Sequence, residues 1–220
     1  MLTCRVVSRS VQLPVPMHDL RFVVQPSQWA PPFAIEELFD RTAPLEIELG
    51  CGKGLFLERA VELEPGKNFL GVERADKYFR HAVRRFLETS PPNLRLFRAD
   101  AFDVLTRWIE PETATGVHVY FPDPWPKNKH AGRRLLRPEL YRLVFRVLQP
   151  GAIFRIGSDV EPYFRTAVSD ILGSGFFEQI PWPEGSADRI ATNYAVKYAE
   201  EGRSLHYAKF VRRTDSPDGC

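Results

Sequence analysis

Between residues 45 and 172 of this chain, two kinds of segment follow one another in a regular order. Short apolar runs, each ending close to a glycine or an acid, are followed by segments in which apolar residues recur at helical spacing. The runs predict strands at 45–49, 68–73, 93–97, 117–121 and 152–156, and the segments predict helices at 55–63, 75–89, 102–109, 138–148 and 160–172. Such strict alternation, with short connections, predicts a parallel sheet that carries helices on both faces.

The two ends of the chain depart from this alternation. Apolar spacing predicts a short helix at 33–39, and two further strands are predicted at 176–180 and 205–211, around a proline-rich loop. The predicted fold class is therefore α/β, with a doubly wound, mostly parallel seven-stranded sheet and an antiparallel edge strand. We expect residues 1–32 to form an N-terminal arm that is extended or partly disordered, and residues 33–220 to form a single domain.

Composition limits the class of protein. The chain has 220 residues, of which 44% are hydrophobic and 26% are charged, as is usual for one globular domain. Its cysteines, Cys4, Cys51 and Cys220, lie far apart and form no paired motif, so we expect a reduced cytoplasmic protein without disulfides or metal. We expect neither a signal peptide nor a membrane segment, because no suitable apolar run occurs. A monomer and a homodimer both stay open.

The stretch after the fourth predicted strand carries an acid, an aromatic residue and a basic cluster together. Prolines on both sides of Asp123 fix the backbone, so its carboxylate and Trp125 sit on a stiff loop. Trp125 could stack on a base or simply pack. The cations that follow are Lys127, Lys129, His130, Arg133 and Arg134. Because the whole chain has a net charge of only +2, this local concentration of positive charge indicates a site for a polyanion.

Acidic side chains follow four consecutive predicted strands. Glu48, Glu73, Asp100 and Asp123 each lie at or just after the end of a strand, and the glycines Gly50, Gly52 and Gly54 follow the first one. In a doubly wound sheet, ligands bind outside the carboxyl ends of the strands. The sequence therefore predicts a ligand site lined by carboxylates and a glycine loop.

The spacing of the glycines argues against a dinucleotide. The fingerprint of dinucleotide-binding proteins would place a third glycine at position 55, where this chain has Leu55. Neighbouring carboxylates would also repel a pyrophosphate. S-adenosylmethionine instead offers an ammonium group, ribose hydroxyls and an amino group as donors. Glu73, 23 residues after Gly50, can accept from both hydroxyls of the ribose.

These motifs resemble the bacterial tRNA (guanine-N7)-methyltransferase family. The matching stretches are E-L-G-C-G-K-G at 48–54, G-V-E at 71–73, A-D-A at 99–101 and, most specifically, F-P-D-P-W-P-K-x-K-H-x-x-R-R-L at 121–135. The resemblance covers about residues 45–212 and implies a Rossmann-like class I methyltransferase fold. It further implies transfer of a methyl group from S-adenosylmethionine to N7 of guanosine 46 in the variable loop of tRNA.

The resemblance also implies roles for particular residues. Glu48, Glu73, Asp100 and Asp123 correspond to cofactor contacts, Lys127 and Asp159 to substrate contacts, and residues 129–134 to the RNA-binding segment. The family's motif T-x-[FY]-E-x-K adds Thr192, Tyr194 and Lys197 as substrate contacts, but here Ala195 stands where the family has glutamate. That departure concerns how guanine is recognised more than the reaction itself.

Two other functions stay open at the level of the sequence. One is methylation of an amino group on another base or on a small molecule, although such enzymes place an aromatic residue after paired prolines, whereas a basic cluster follows here. The other is a non-catalytic RNA-binding protein, which Ala195 alone favours. Since guanine N7 carries a free lone pair, Asp123 is expected to act by alignment and charge rather than by removing a proton.

Overall fold

The computed structural model describes residues 13–125, 132–186, 190 and 192–215, and within them one sheet of eight strands. The strands are β1 (Val23–Val24), β2 (Leu45–Leu49), β3 (Asn68–Val72), β4 (Leu94–Phe97), β5 (Ala114–Tyr120), β6 (Leu148–Ser158), β7 (Phe177–Ile180) and β8 (His206–Arg212). Their spatial order is β1-β4-β3-β2-β5-β6-β8-β7. Only β8 runs antiparallel, and it does so to both of its neighbours. The predicted fold class is thus confirmed.

Helices connect the parallel strands, as the alternating pattern predicts. They are α1 (Ile35–Phe39), α2 (Leu55–Leu63), α3 (Asp76–Arg85), α4 (Ala101–Asp103), α5 (Pro138–Val147), α6 (Glu161–Gly173) and α7 (Asn193–Glu200). Helix α4 continues as a π-helix at Val104–Trp108. None of the helices in the described part of the chain is long and apolar enough to cross a membrane.

The prediction of seven strands was wrong by one. The extra strand, β1, belongs to the N-terminal arm and pairs in parallel with β4. Phe22, just before it, is almost fully buried and meets the ring of Phe86 edge-on at 6.4 Å. A strand of two residues is too short to carry an alternating pattern, so the sequence gives no sign of it. This pairing covers one edge of the parallel sheet.

Several further elements differ from the sequence prediction, among them β6, which begins at Leu148 rather than at residue 152. Helix α3 ends at Arg85 rather than near residue 89, and helix α7 lies in the connection that was predicted only as a loop between strands. The side chain of Thr192 accepts a hydrogen bond from the amide of Ala195 at 3.0 Å and so caps α7 at its N-terminus.

Successive residues along the strands enter two different buried clusters. Leu70 and Val72 of β3 belong to one cluster with β5, β6 and α5, whereas Phe69 belongs to another with α2 and α3. Because side chains of a strand point alternately to opposite faces, the sheet is covered on both sides. The carboxyl ends of β2, β3, β4 and β5 are then left facing one open edge, where the predicted acids lie.

Candidate active site

A cleft of about 240 Å³ opens at the carboxyl ends of the central strands. Its walls come from the glycine loop, the ends of β3 and β4, and the loop after β5. The predicted residues that line it are Gly50, Gly52, Glu73, Asp100, Asp123 and Arg133. Four separate strand ends therefore meet in one place, as expected for the switch point of a doubly wound sheet.

The glycine loop needs its glycines for a steric reason. All three have positive φ, and a Cβ on Gly54 would lie 3.2 Å from the ring of Phe86 and 3.3 Å from the Cβ of Ala82. Gly54 immediately precedes α2, so the loop turns sharply from β2 into the helix. The close approach of α2 to α3 thus depends on the absence of a side chain at this position.

Glu73 links the end of β3 to the glycine loop. Its Oε2 accepts from the amide of Gly52 at 3.0 Å, and its Oε1 accepts from the amide of Ala75 at 2.7 Å. Burial raises the pKa of Glu73, and these backbone hydrogen bonds oppose that effect. Because each carboxylate oxygen can accept more than one hydrogen bond, the fixed side chain can still accept from a ligand in the cleft.

Asp100 has a similar position at the end of β4. Its Oδ1 accepts from the amide of Phe102 at 2.9 Å, which caps the short helix α4, and its Oδ2 lies 3.5 Å from the guanidinium of Arg74. The side chain is about half-exposed towards the cleft. Both predicted acids of this half of the cleft are thus oriented by backbone amides before any ligand arrives.

Glu48 lies beneath the glycine loop rather than in the wall of the cleft. Its side chain is buried, and among the described residues its Oε2 has no hydrogen-bond partner. Burial, together with the charge of Glu73, raises the pKa of Glu48 to about 8. Glu48 borders a small cavity that Gly50 and Thr192 also line. A buried acceptor without a partner is costly, so this position suits a ligand that donates a hydrogen bond.

Cys51 is buried within the same loop. Burial raises the pKa of its thiol, and the charges of Glu48 and Glu73 raise it further. A thiol held in its neutral form is a poor nucleophile. Cys51 packs in the buried cluster that contains residues of α2 and α3, and this packing explains why a small apolar side chain stands at this position.

The loop after β5 is held in a strained shape that places Asp123 in the cleft wall. Phe121 has φ of 50° and Trp125 has φ of 41°, both unusual for residues with a side chain. Arg134 donates from Nε to the carbonyl of Pro124 at 3.0 Å and from Nη2 to the carbonyl of Trp125 at 3.1 Å. These contacts hold the backbone directly after Asp123, a structural task that the sequence did not indicate for Arg134.

Arg133 and Trp125 form the rim of the cleft on the same side. The guanidinium of Arg133 lies 5.1 Å from the centre of the Trp125 ring. Arg133 is exposed and lines the cleft, and its contact with RNA stays a prediction. Lys127, Lys129 and His130 lie outside the described residues.

The predicted substrate residues lie around α7 and the end of β6. Asp159 is mostly covered, with 11% of its side chain exposed, and its Oδ2 is 2.8 Å from Nη1 of Arg203. Lys197 is exposed, with Nζ 3.6 Å from Glu201. Tyr194 belongs to α7, and Ala195, where the resembled motif has glutamate, is buried in the cluster that contains Phe69 and residues of α2 and α3.

Two residues that sequence reasoning missed also belong to this region. Arg203 holds Asp159 across 44 positions of sequence, and Tyr78 of α3 lines the cleft with an exposed ring. Neither belongs to a motif, and no spacing rule connects Arg203 to Asp159. Among the residues that the structure describes, no group of three His, Cys, Asp or Glu side chains could hold a metal ion.

Solved structures share this architecture. The 16S rRNA (adenine(1408)-N(1))-methyltransferase from Catenulisporales acidiphilia, in a structure with cosubstrate SAM, superposes with a TM-score of 0.59 at 18% identity, covering 90% of this chain and 95% of that chain. At that identity the likeness is one of fold. The protein is therefore a doubly wound α/β protein with a Rossmann-like fold.

Sequence relatives narrow this class to a family. A family model described as "Putative methyltransferase" matches residues 42–211. The tRNA (guanine-N(7)-)-methyltransferase of Mycobacterium avium is 36% identical over 193 residues, covering 86% of this chain and 74% of that protein. The protein of the same name from Thermus thermophilus is 33% identical over 192 residues, covering 86% of this chain. The chain belongs to this family of methyltransferases, and it spans 60% of the length of the Thermus relative.

Proposed function

We propose that this protein transfers the methyl group of S-adenosylmethionine to N7 of a guanosine in tRNA. Family membership and the names of the relatives support the reaction. The observation that carries the proposal is the position of Asp123. Arg134 holds the turn on which Asp123 lies, and Asp123 is in the wall of a cleft that Glu73 and Asp100 also line. The resemblance of the F-P-D-P-W-P-K stretch further suggests guanosine 46 of the variable loop as the position modified.

The chemistry of the cleft fits S-adenosylmethionine. Glu73 and Asp100 are acceptors at neighbouring strand ends and suit the ribose hydroxyls and the adenine amino group. Glu48, with a buried oxygen that lacks a partner among the described residues, suits the ammonium group. The open glycine loop admits the ligand close to the backbone at Gly50 and Gly52. When bound, this cofactor supplies a methyl group on a positively charged sulfur.

Asp123 would act through position and charge. Guanine N7 has a free lone pair, so the acceptor needs no base, and alignment of the two reacting partners is the main task of the protein. Positive charge develops on the purine as the methyl group arrives, and a fixed carboxylate nearby stabilises it. The clamp between Arg134 and the carbonyls of Pro124 and Trp125 keeps the carboxylate fixed.

The tRNA would be bound through its phosphates and through the flipped base. Arg133 at the rim supplies a cation, and Trp125 beside it offers an aromatic face on which a base can stack. Lys127, Lys129 and His130 would extend this surface, and Asp159, Thr192, Tyr194 and Lys197 would contact the substrate.

The test is to identify the nucleoside that the protein methylates. The purified protein is incubated with methyl-labelled S-adenosylmethionine and mixed tRNA, and the RNA is then digested and its labelled nucleosides separated. We expect the label in N7-methylguanosine, and a rate lower by about a hundredfold for Asp123→Ala. Label in another nucleoside, or in an amino-methylated base, would overturn the proposal. Binding of S-adenosylhomocysteine without any labelled RNA would favour the non-catalytic RNA-binding protein.

A further inference from the structure

Arg203 connects three side chains beside the cleft. Its Nη1 lies 2.8 Å from Oδ2 of Asp159, its Nε lies 2.8 Å from Oε2 of Glu201, and its guanidinium lies 4.3 Å from the centre of the Tyr198 ring. One planar cation thus fixes a carboxylate and covers an aromatic ring at the same time. The carboxylate of Asp159 that it holds is a hydrogen-bond acceptor of the kind that recognises a base.

This group of residues adjoins the turn that carries Asp123. The ring of Tyr198 packs edge-on against Phe121, with centroids 5.9 Å apart, and Phe121 is two residues before Asp123. Burial raises the pKa of Tyr198, and the charges of Asp159 and Asp123 both add to this effect, so both carboxylates lie near this ring. Strands β5 and β6 pair in parallel, and their last paired residues are Tyr120 and Gly157. Asp159 comes two residues after Gly157, so it lies at the same edge of the sheet as Asp123.

The way in which Arg203 binds Asp159 has a chemical consequence. A carboxylate has two oxygens that only accept, and the ion pair engages Oδ2, which fixes the direction in which Oδ1 points. The Watson–Crick edge of guanine presents donors at N1 and at the 2-amino group, whereas adenine presents an acceptor at N1. A fixed carboxylate therefore favours guanine over adenine, because adenine would leave the two acceptors facing each other.

We infer that Arg203, packed over Tyr198, is a positioning residue that holds Asp159 in place to recognise the acceptor guanine. This inference rests on the proposed function and specifies the recognition site for the base. Ala195 provides no carboxylate, and Glu201, four positions after Lys197, is itself tied to Arg203. Recognition at this site then depends on the orientation of Asp159, which the sequence motif alone does not set.

An alternative role for Arg203 is that of an ordinary surface ion pair. Its side chain is 47% exposed, and such pairs contribute little to stability. Replacement of Arg203 should therefore leave the fold intact under either role. The two roles differ in base selectivity, since a surface ion pair would not affect the choice of base.

The experiment compares Arg203→Met, Arg203→Lys and a matched control, Arg165→Met. Arg165 forms an exposed ion pair with Glu161, at 2.8 Å on α6, so its removal costs a similar surface contact away from the site. Each protein is assayed with tRNA transcripts that carry either guanosine or inosine at the methylated position. Inosine lacks the 2-amino group, so it has one donor fewer for Asp159. Thermal unfolding and binding of S-adenosylhomocysteine are measured in parallel.

We expect the wild type to prefer guanosine over inosine by about tenfold. Arg203→Met should reduce this preference to about twofold and raise the KM for tRNA about tenfold, because the carboxylate loses its fixed direction. Arg203→Lys should restore part of the preference, and Arg165→Met should match the wild type. Cofactor binding and the unfolding temperature should change little in all three variants.

Two outcomes would overturn the inference. If Arg203→Met methylates guanosine and inosine in the same ratio as the wild type, Arg203 has no part in recognition. If the loss in Arg203→Met is matched by an equal loss in Arg165→Met, the effect is one of general surface charge. The proposed function is tested separately by the wild type, whose failure to form N7-methylguanosine would remove the premise rather than the role of Arg203.

Discussion

Glu46 on β2 and His118 on β5 share a hydrogen bond of 2.7 Å inside the face of the sheet that packs against α2. Lys67 binds the other oxygen of Glu46 at 2.8 Å, and Nδ1 of His118 lies 3.0 Å from the hydroxyl of Tyr120. Burial opposes ionisation of Glu46, but His118 and Lys67 outweigh it and hold the pKa of Glu46 well below its usual range. Burial lowers the pKa of His118. The ionised carboxylate then accepts from Nε2–H, and Nδ1 accepts from the hydroxyl of Tyr120.

This buried pair predicts a strong dependence of stability on both partners. His118→Leu removes one hydrogen-bond donor from the buried, ionised Glu46, so we expect a loss of about 3 kcal/mol in the free energy of unfolding. The double variant Glu46→Leu/His118→Leu should lose less than the sum of the two single variants, because no buried charge is stranded. Urea denaturation of all four proteins measures this coupling. Strictly additive losses would show that the two side chains act independently.

The same pair sets the direction of the pH dependence. The pKa values of Glu46 and His118 are both lower in the folded protein, so the unfolded chain binds more protons. Stability that the pair contributes is therefore present above about pH 6.5 and is lost progressively as the pH falls. The double variant should show a flatter profile over this range.

Glu48 should show a conflict between stability and ligand binding. The pKa of Glu48 is raised to about 8, so the folded protein without ligand holds a proton that the unfolded chain has released, and stability falls as the pH rises from about 4.5 to 8. We expect Glu48→Gln to stabilise the ligand-free protein at pH 8 by about 2 kcal/mol and to weaken binding of S-adenosylhomocysteine about tenfold. Thermal unfolding at pH 5 and pH 8, with and without this ligand, measures both effects.

A calorimetric measurement supplies the control for Glu48. If a cationic group of the ligand draws the proton off Glu48, binding at pH 7 releases protons, and the apparent enthalpy depends on the ionisation enthalpy of the buffer. Glu48→Gln should lose that dependence. A wild type whose binding enthalpy is the same in all buffers would contradict this account of Glu48.

Gly54 should tolerate no side chain. Gly54→Ala places a Cβ within 3.3 Å of Phe86 and Ala82 at a positive φ, so we expect a loss of about 2 kcal/mol in stability and weaker cofactor binding. Gly66→Ala is the matched control, because a Cβ there meets nothing within 4 Å. Chemical denaturation of the two variants compares them directly. Equal stability of the two would show that the approach of α2 to α3 adjusts freely.

The adjacent arginines Arg133 and Arg134 should have separate effects. Arg133→Gln removes a rim cation, so the logarithmic dependence of tRNA affinity on salt concentration should become shallower by about 1, while kcat changes little. Arg134→Gln releases the carbonyls of Pro124 and Trp125, so kcat should fall about tenfold or more as Asp123 loses its position. Filter binding at several salt concentrations and single-turnover assays separate these effects. The same change in both variants would mean that the two arginines share one role.

Much of the fold and part of the site could be predicted from local sequence. The strands at Leu45–Leu49 and Phe177–Ile180 and the helix at Leu55–Leu63 lie within one residue of the predicted bounds, because burial and hydrophobic period are local signals. The meeting of Glu73, Asp100 and Asp123 also followed, since parallel strands deliver their carboxyl ends to one edge.

Other features required the assembled sheet. The pairing of β1 depends on two residues, and the position of Glu48 beneath the glycine loop depends on how the loop packs over β2. The bonds from Arg134 to the loop of Asp123 span nine or ten residues without any regular period. Such contacts involve single side chains, for which periodicity carries no information.

Local sequence predicted the order of most elements, the edge of the sheet where the acids meet and the family, because these depend on period, topology and motif. The long-range ion pairs and hydrogen bonds between charged side chains were visible only in the tertiary structure. Arg203 reaches Asp159 from 44 residues away, and His118 reaches Glu46 from 72. Ion pairs and hydrogen bonds form only within a few ångströms, and the separation of two residues along a chain does not fix their distance in space. The precise orientation of the acids in this site is therefore a property of the folded molecule.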